Sequence, residues 1–146
     1  MVDVGDPAPE FQGPSSLGGM FRLSEKKGHP VVVYFFPKAD TPGCTVETKA
    51  FRDVHPEFAK RHVTVVGVSV DTPEDESKFA TKCGLPFGLV ADLDGKIGTA
   101  FGVLGNTGKA RRITFLIGPD GHVLERVESS TPTAHVDAAK ARFLTG

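Results

Sequence analysis

Two side chains in this chain of 146 residues are soft nucleophiles, Cys44 and Cys83. The first stands where a thiol is easiest to ionise. A thiol attacks only as its thiolate, and the start of a helix favours that anion through unpaired amides and the macrodipole. Pro37-Lys38-Ala39-Asp40-Thr41-Pro42-Gly43-Cys44 follows an apolar run and leads into a helical pattern, so Cys44 falls in a first helical turn. Pro42 suits a helix start because it lacks an amide hydrogen that the helix would leave unused. Gly43 permits close approach of a substrate to the backbone. Thr41 precedes Cys44 by three residues, near enough for its hydroxyl to bond the sulfur or an oxygen bound beside it. The chemistry on offer is nucleophilic attack by sulfur, with the hydroxyl and the amides of Gly43 and Cys44 as hydrogen-bonding groups.

Hydrophobic patterning supplies the elements that hold this turn. Val31 to Phe36 is a continuous apolar run ending at Pro37, the pattern of a strand buried on both faces. Pro42 to about Val54 reads as a helix, with Val46, Ala50 and Val54 at four-residue spacing. His62 to Val70 is a second buried strand. Thr72 as N-cap, Pro73 at the first helical position and the acids after it open a helix that Gly84 stops. Phe87 to Ala91 suggests a short strand and Lys96 to Phe101 a short helix. Ile113 to Ile117 and Val123 to Val127 flank Gly118-Pro119-Asp120-Gly121, the signature of an antiparallel hairpin. Thr131 or Thr133 begins a last helix through Ala138, Ala139 and Phe143. The order β-α-β-α-β-β-α predicts an α/β fold, a mixed central sheet with helices on both faces. Such sheets carry reactive groups at the carboxyl ends of their strands, which is where Cys44 lies.

Composition narrows the function classes. Residues 1–146 fit one domain with an ordinary share of apolar (39%) and charged (24%) residues. The net charge of −1 gives no field favouring nucleic acid or an anionic membrane, and no apolar run reaches the length of a span. The polar stretch Met1 to Glu10 lacks the regions of a signal peptide, which makes a cytoplasmic location the expectation. Two cysteines are too few for a disulfide scaffold, and in a reducing compartment thiols matter by reacting or by binding metal. The five histidines, His29, His55, His62, His122 and His135, show no metal-ligand spacing, so no metal is expected. Gly102 to Ala110 mimics a phosphate loop, but its glycine spacing is one residue too long and Ala110 replaces the hydroxyl residue. No cofactor is expected.

Pro37, Thr41 and Cys44 reproduce the pattern P-x-x-x-T-x-x-C, and the chain resembles the peroxiredoxins. The fuller Tyr34-Phe35-Phe36-Pro37-Lys38 with Thr41-Pro42-Gly43-Cys44-Thr45 is similar to the bacterioferritin comigratory protein (peroxiredoxin Q) branch. Arg112-Ile113-Thr114-Phe115-Leu116-Ile117, followed by a Pro-Asp-Gly turn, is similar to the family's Arg-x-Ser/Thr-Phe-Leu-Ile strand, and Gly5-Asp6-Pro7-Ala8-Pro9-Glu10-Phe11 also matches. The resemblance implies a thioredoxin-like fold and reduction of hydrogen peroxide or organic hydroperoxides. It makes Cys44 the attacking thiolate and a sulfenic acid its product. It makes Arg112 the fixed charge that lowers the thiol pKa and holds the peroxide. Arg111 competes with Arg112, but strand alternation points the two to opposite faces and the motif selects Arg112. Glu47 resembles the family's acid that orients the arginine, with a solvated helix residue as the alternative.

Cys83 stays open between two roles. Members of this branch carry a resolving cysteine five residues after the nucleophile, where this chain has Lys49, or on the helix after the next strand. Cys83 belongs to that second helix, about one turn beyond the usual place, which aligns nearer Ala80. It also shares a face with Phe79 and Ala80, as a core stripe would, and Phe36, Phe51 and Phe87 read as core. The resemblance implies a monomer or weak homodimer recycled by thioredoxin or another thiol. Two rivals remain: a redox-sensing or binding module, and a disulfide oxidoreductase, which would need a Cys-x-x-Cys turn where the chain has Cys44-Thr45-Val46-Glu47. The enzyme reading requires the guanidinium beside the sulfur and the sulfur within reach of solvent.

Overall fold

A computed structural model describes residues 1–145. The run Val31–Phe35 forms β3, the middle strand of a five-stranded sheet. β4 (Thr64–Ser69) lies parallel to β3, and β5 (Gly88–Ala91) parallel to β4. β6 (Ile113–Ile117) runs antiparallel to β3, and β7 (Val123–Glu128) closes the hairpin. The mixed sheet expected from the alternating pattern is therefore present.

Both faces of the sheet are covered. Val32, Tyr34 and Phe36 point into one core layer with Phe51, Val54 and Phe58 of α1 (Pro42–Lys60), Phe79 and Cys83 of α2 (Pro73–Cys83), and Val136 and Ala139 of α4 (Pro132–Phe143). Val31, Val33 and Phe35 point into the other, with Ile97 and Phe101 of α3 (Lys96–Phe101) and Phe11 and Leu23. Period-two alternation of a strand buried on both sides thus builds two separate layers from one apolar run.

Helix boundaries follow the local signals with one exception. Thr72 accepts from the Asp75 amide at 3.1 Å, and Gly84 ends α2 in the left-handed region at φ 62. α1, however, runs past Val54 to Lys60 with Pro56 inside it. The missing amide of Pro56 removes one helical bond. The next turn buries Phe58 completely against the sheet, and that packing outweighs the loss. Near the N-terminus a two-stranded ribbon, β1 (Gln12–Pro14) and β2 (Met20–Arg22), is present that the hydrophobic pattern does not foretell.

Tyr34 fixes how α1 sits on the sheet. Its hydroxyl meets Thr48 Oγ1 at 3.1 Å and its ring stacks on Phe51 at 4.7 Å. Gly67 is its register partner on β4, and a Cβ there would come within 2.7 Å of the ring. Glycine is needed at 67 for close approach, not for its dihedral freedom.

Candidate active site

The register of β3 with β6 decides which arginine meets the cysteine. Phe35 pairs with Ile113, so Arg112 lies beside the end of β3, where the chain turns toward α1. Alternation along β6 puts Thr114 and Leu116 on the α1 side and Ile113, Phe115 and Ile117 on the other. Arg112 shares the Thr114 side. Arg111 turns out and pairs with Glu128 at 2.9 Å.

The turn from β3 into α1 is pinned from outside. The Ala39 amide donates to Asp71 Oδ2 at 2.8 Å, and Ser69 Oγ donates to the same oxygen at 2.6 Å. Ser69 Oγ also lies 3.1 Å from Glu76 Oε2. A hydroxyl has one hydrogen to give, so a protonated Glu76 completes the chain by donating to Ser69. Burial first, and the charge of Asp71 second, push the Glu76 carboxyl up to about 9, which agrees. Asp40 occupies the left-handed region at φ 62 and pairs with Lys82 at 2.7 Å on the surface. Thr41 caps α1 through its backbone alone, and its hydroxyl donates to the Lys38 carbonyl at 2.8 Å. The first helical bond runs from the Thr45 amide to the Thr41 carbonyl, leaving the amides of Gly43 and Cys44 without helical partners.

Cys44 therefore stands at the third position of α1. Arg112 Nη2 donates to its Sγ at 3.3 Å, and Nη1 donates to Glu47 Oε1 at 2.7 Å. Glu47, one turn further along the helix, has no exposed surface, and burial pushes its carboxyl up to about 8 although the Arg112 charge pulls it down. Burial works against the Arg112 charge, yet the bonds to Cys44 and Glu47 hold its pKa above the ordinary value. Gly43 packs on the guanidinium: a Cβ there would lie 3.0 Å from Nη2. Pro37, half-buried, lies two residues past the end of β3, on the way into this turn.

One expectation needs correction. The sulfur does not face solvent: Cys44 is 0% exposed. Cys44 belongs to the apolar core layer with Phe36, Phe51 and Phe79, and the guanidinium lies against both Sγ and Gly43 while its own side chain keeps 15% exposure.

Cys83 is also buried, at the end of α2, and its carbonyl accepts from Arg52 Nη1 at 2.8 Å. Burial raises its thiol pKa, against the pull of Lys49 and Arg52. The two cysteines are not bonded to each other. Phe36, Phe51 and Phe87 are core residues. Among the described residues no helix is long and apolar enough to cross a membrane. No group of three or more His, Cys, Asp or Glu among them converges as metal ligands would.

His135 carries no sequence signal beyond its place on the apolar face of α4, yet it is fully buried beside Glu47. Its Nδ1 meets Thr114 Oγ1 at 2.8 Å, its Nε2 meets the Ser129 carbonyl at 2.8 Å, and Nδ1 lies 3.7 Å from Glu47 Oε2.

Comparison with known proteins gives a consistent result. A family model described as AhpC/TSA family matches residues 4–126. The chain is 43% identical to peroxiredoxin Bcp of Escherichia coli (strain K12) over 139 residues, covering 88% of this chain and 89% of that protein. It is 37% identical over 145 residues to peroxiredoxin Bcp of Bacillus subtilis (strain 168), covering 94% and 92%. Peroxidoxin BcpB from Mycobacterium tuberculosis superposes with a TM-score of 0.92 at 36% identity, over 99% of this chain and 97% of that one. The Xanthomonas campestris bacterioferritin comigratory protein does so with a TM-score of 0.87 at 31% identity, over 99% and 96%. That protein was solved as trapped intermediate and ligand complexes bearing on its alkyl peroxide reduction activity.

Proposed function

The chain belongs to the AhpC/TSA family and is a thiol-dependent peroxidase with a thioredoxin-like fold, and we propose that Cys44 is its peroxide-reacting thiolate, held by Arg112. The supporting observation is the 3.3 Å contact from Arg112 Nη2 to Sγ at a helix start, with Nη1 anchored on Glu47 at 2.7 Å. A guanidinium never gives up its proton, so it offers the sulfur a permanent counter-charge.

In this reading the sulfur attacks one peroxide oxygen in line with the O–O bond. An S–O bond forms, the O–O bond breaks with its electron pair leaving on the distal oxygen, and that oxygen takes a proton to depart as water or alcohol. Arg112 and the free amides of Gly43 and Cys44 stabilise the growing charge. The hydroxyl hydrogen of Thr41 is engaged by Lys38, so what Thr41 offers an incoming peroxide is a lone pair that accepts its hydrogen. Pro37 shields the turn that carries these groups. Cys44 has no exposed surface, so a peroxide reaches the sulfur as the side chains around it, Arg112 among them, give way.

The product is a sulfenic acid on Cys44. Cys83 then acts as the resolving thiol: its sulfur displaces the hydroxyl as water to form a disulfide that thioredoxin or another thiol reduces. A disulfide requires Cα atoms within about 7 Å, so α1 and α2, each of which buries its cysteine, loosen for this step. The substrates are hydrogen peroxide and organic hydroperoxides, in keeping with the alkyl peroxide activity of the Xanthomonas campestris relative. In this reading the chain works as one domain, a monomer or weak dimer in the cytoplasm, with no cofactor or metal taking part.

Stopped-flow mixing of the reduced protein with hydrogen peroxide tests this. Oxidation at about 10⁴ M⁻¹s⁻¹ or faster, abolished by Cys44→Ser, is expected. A rate no better than that of a free thiol rejects the assignment.

A further inference from the structure

We propose that Asp71 is a positioning residue of the peroxidase: it holds the peptide between Lys38 and Ala39 in the orientation that makes Thr41 an acceptor for the peroxide. This rests on the Cys44 reading above. One peptide group is gripped at both ends. Its N–H, on Ala39, donates to Asp71 Oδ2 at 2.8 Å, and its carbonyl, on Lys38, accepts from Thr41 Oγ1 at 2.8 Å. A peptide is planar, so fixing the direction of the N–H fixes that of the carbonyl on the opposite side.

The hydrogen positions follow from the donors and acceptors. Asp71 Oδ2 receives two hydrogens, from the Ala39 amide and from Ser69 Oγ at 2.6 Å, and a carboxylate oxygen can only accept. Turning the Lys38–Ala39 peptide over would bring a carbonyl against that oxygen, acceptor against acceptor. It would also present the N–H to Thr41, whose hydroxyl would then accept and point its own hydrogen elsewhere. Asp71 thus decides, through one peptide, whether Thr41 meets the peroxide with a lone pair or with a hydrogen. The amide bond to a carboxylate also polarises the peptide and strengthens the Lys38 carbonyl as an acceptor.

The loop itself is weakly tied, and Asp71 is firmly mounted. Residues 37–40 belong to neither β3 nor α1, and among the described residues the Ala39 amide is their one backbone group bonded outside the turn. Asp40, next in the chain, occupies the left-handed region at φ 62, which is uncommon for a residue with a side chain. The turn therefore depends on its tie to the body of the protein. Asp71 stands between Ser69, which ends β4, and Thr72, the N-cap of α2, whose hydroxyl accepts from the Asp75 amide. Ser69 Oγ also meets the buried Glu76 at 3.1 Å, and with Glu76 as the donor there the Ser69 hydrogen stays committed to Asp71.

A double-mutant cycle on the stopped-flow peroxide rate of the reduced full chain tests this, because a merely structural anchor would act with or without the Thr41 hydroxyl. Asp71→Ala, which removes the acceptor, should slow the reaction about tenfold or more. In a Thr41→Val background, where no hydroxyl is left to orient, the same change should cost less than about twofold. Asp71→Asn keeps a carbonyl oxygen for Ala39 and Ser69 and should stay within about threefold of the parent. Losses that multiply in the double variant, or an unchanged rate in Asp71→Ala, overturn the proposal. If Asp71→Ala does not fold, Asp71→Ser, shorter but polar, takes its place in the cycle and the same outcomes decide. Independently of any variant, the Ala39 amide of the reduced parent should exchange with deuterium at least about tenfold more slowly than a free peptide amide. Exchange at the free rate overturns the proposal. A parent that reacts with peroxide no faster than a free thiol would instead reject the Cys44 reading, whatever the Ala39 amide shows.

Discussion

Replacing Gly43 with alanine moves one group by a known amount. The new methyl would lie 3.0 Å from Arg112 Nη2, 3.7 Å from Cζ and 4.0 Å from Pro132 Cγ. An ordinary carbon–nitrogen contact is about 3.5 Å, so the guanidinium must withdraw by about half an ångström. It is the far end of a flexible side chain, and Gly43 does not adopt a positive φ, so the fold absorbs the change cheaply. Alanine in a helical turn even recovers a few tenths of a kcal/mol, roughly, from backbone entropy. The donor to Sγ, now at 3.3 Å, is nevertheless displaced from both the sulfur and the arriving peroxide. Complete loss of such a donor costs about 10²–10³ in rate, and partial displacement should cost about ten- to thirtyfold. Stopped-flow oxidation of reduced Gly43→Ala protein, beside a thermal melt, measures both halves. A folded variant that reacts with peroxide within about twofold of the parent would refute the claim that this guanidinium position limits the reaction.

Further outcomes follow from the same contacts. Mass spectrometry after one equivalent of peroxide should find a Cys44–Cys83 disulfide, and Cys83→Ser should stop at the sulfenic acid; an intermolecular disulfide in the parent protein would instead leave Cys83 to the core. Glu76 holds its proton in the folded state to about pH 9 and releases it at about 4.5 when unfolded. That favours the fold fully below the lower value and fades as pH rises toward the upper one. Glu76→Gln should therefore stabilise the protein by about 3 kcal/mol at pH 7 and by much less at pH 5 in urea melts; an equal gain at both would contradict the protonated state.

Local rules reached the parts of this site that short-range physics decides. Pro42, Gly43 and the buried strand before them place Cys44 at a helix start, and period-two alternation separates Arg111 from Arg112 before any coordinates are known. What eluded the sequence is set by contacts distant along the chain. The β1–β2 ribbon comprises two three-residue strands, one containing Gly13 and Pro14, and it depends on packing such as Gly13 against Val90 of the edge strand. α1 continues through Pro56 because Phe58 finds a pocket on the sheet. His135 and Glu76 become notable only through partners 21 and 7 residues away, Thr114 and Ser69. The contact of Arg112 with Cys44 likewise spans 68 residues of chain.

The most direct test of the account compares Arg112→Met with Arg111→Met in stopped-flow oxidation by hydrogen peroxide. Methionine keeps much of the buried stem and deletes the guanidinium. Arg112→Met should lose about a hundredfold or more, as expected for a fixed charge and donor at the reacting sulfur. Arg111→Met breaks only a half-exposed pair with Glu128 and should stay within about twofold of the parent. Equal losses in the two variants, or a parent-like rate in Arg112→Met, would contradict the claim that this guanidinium holds the Cys44 thiolate.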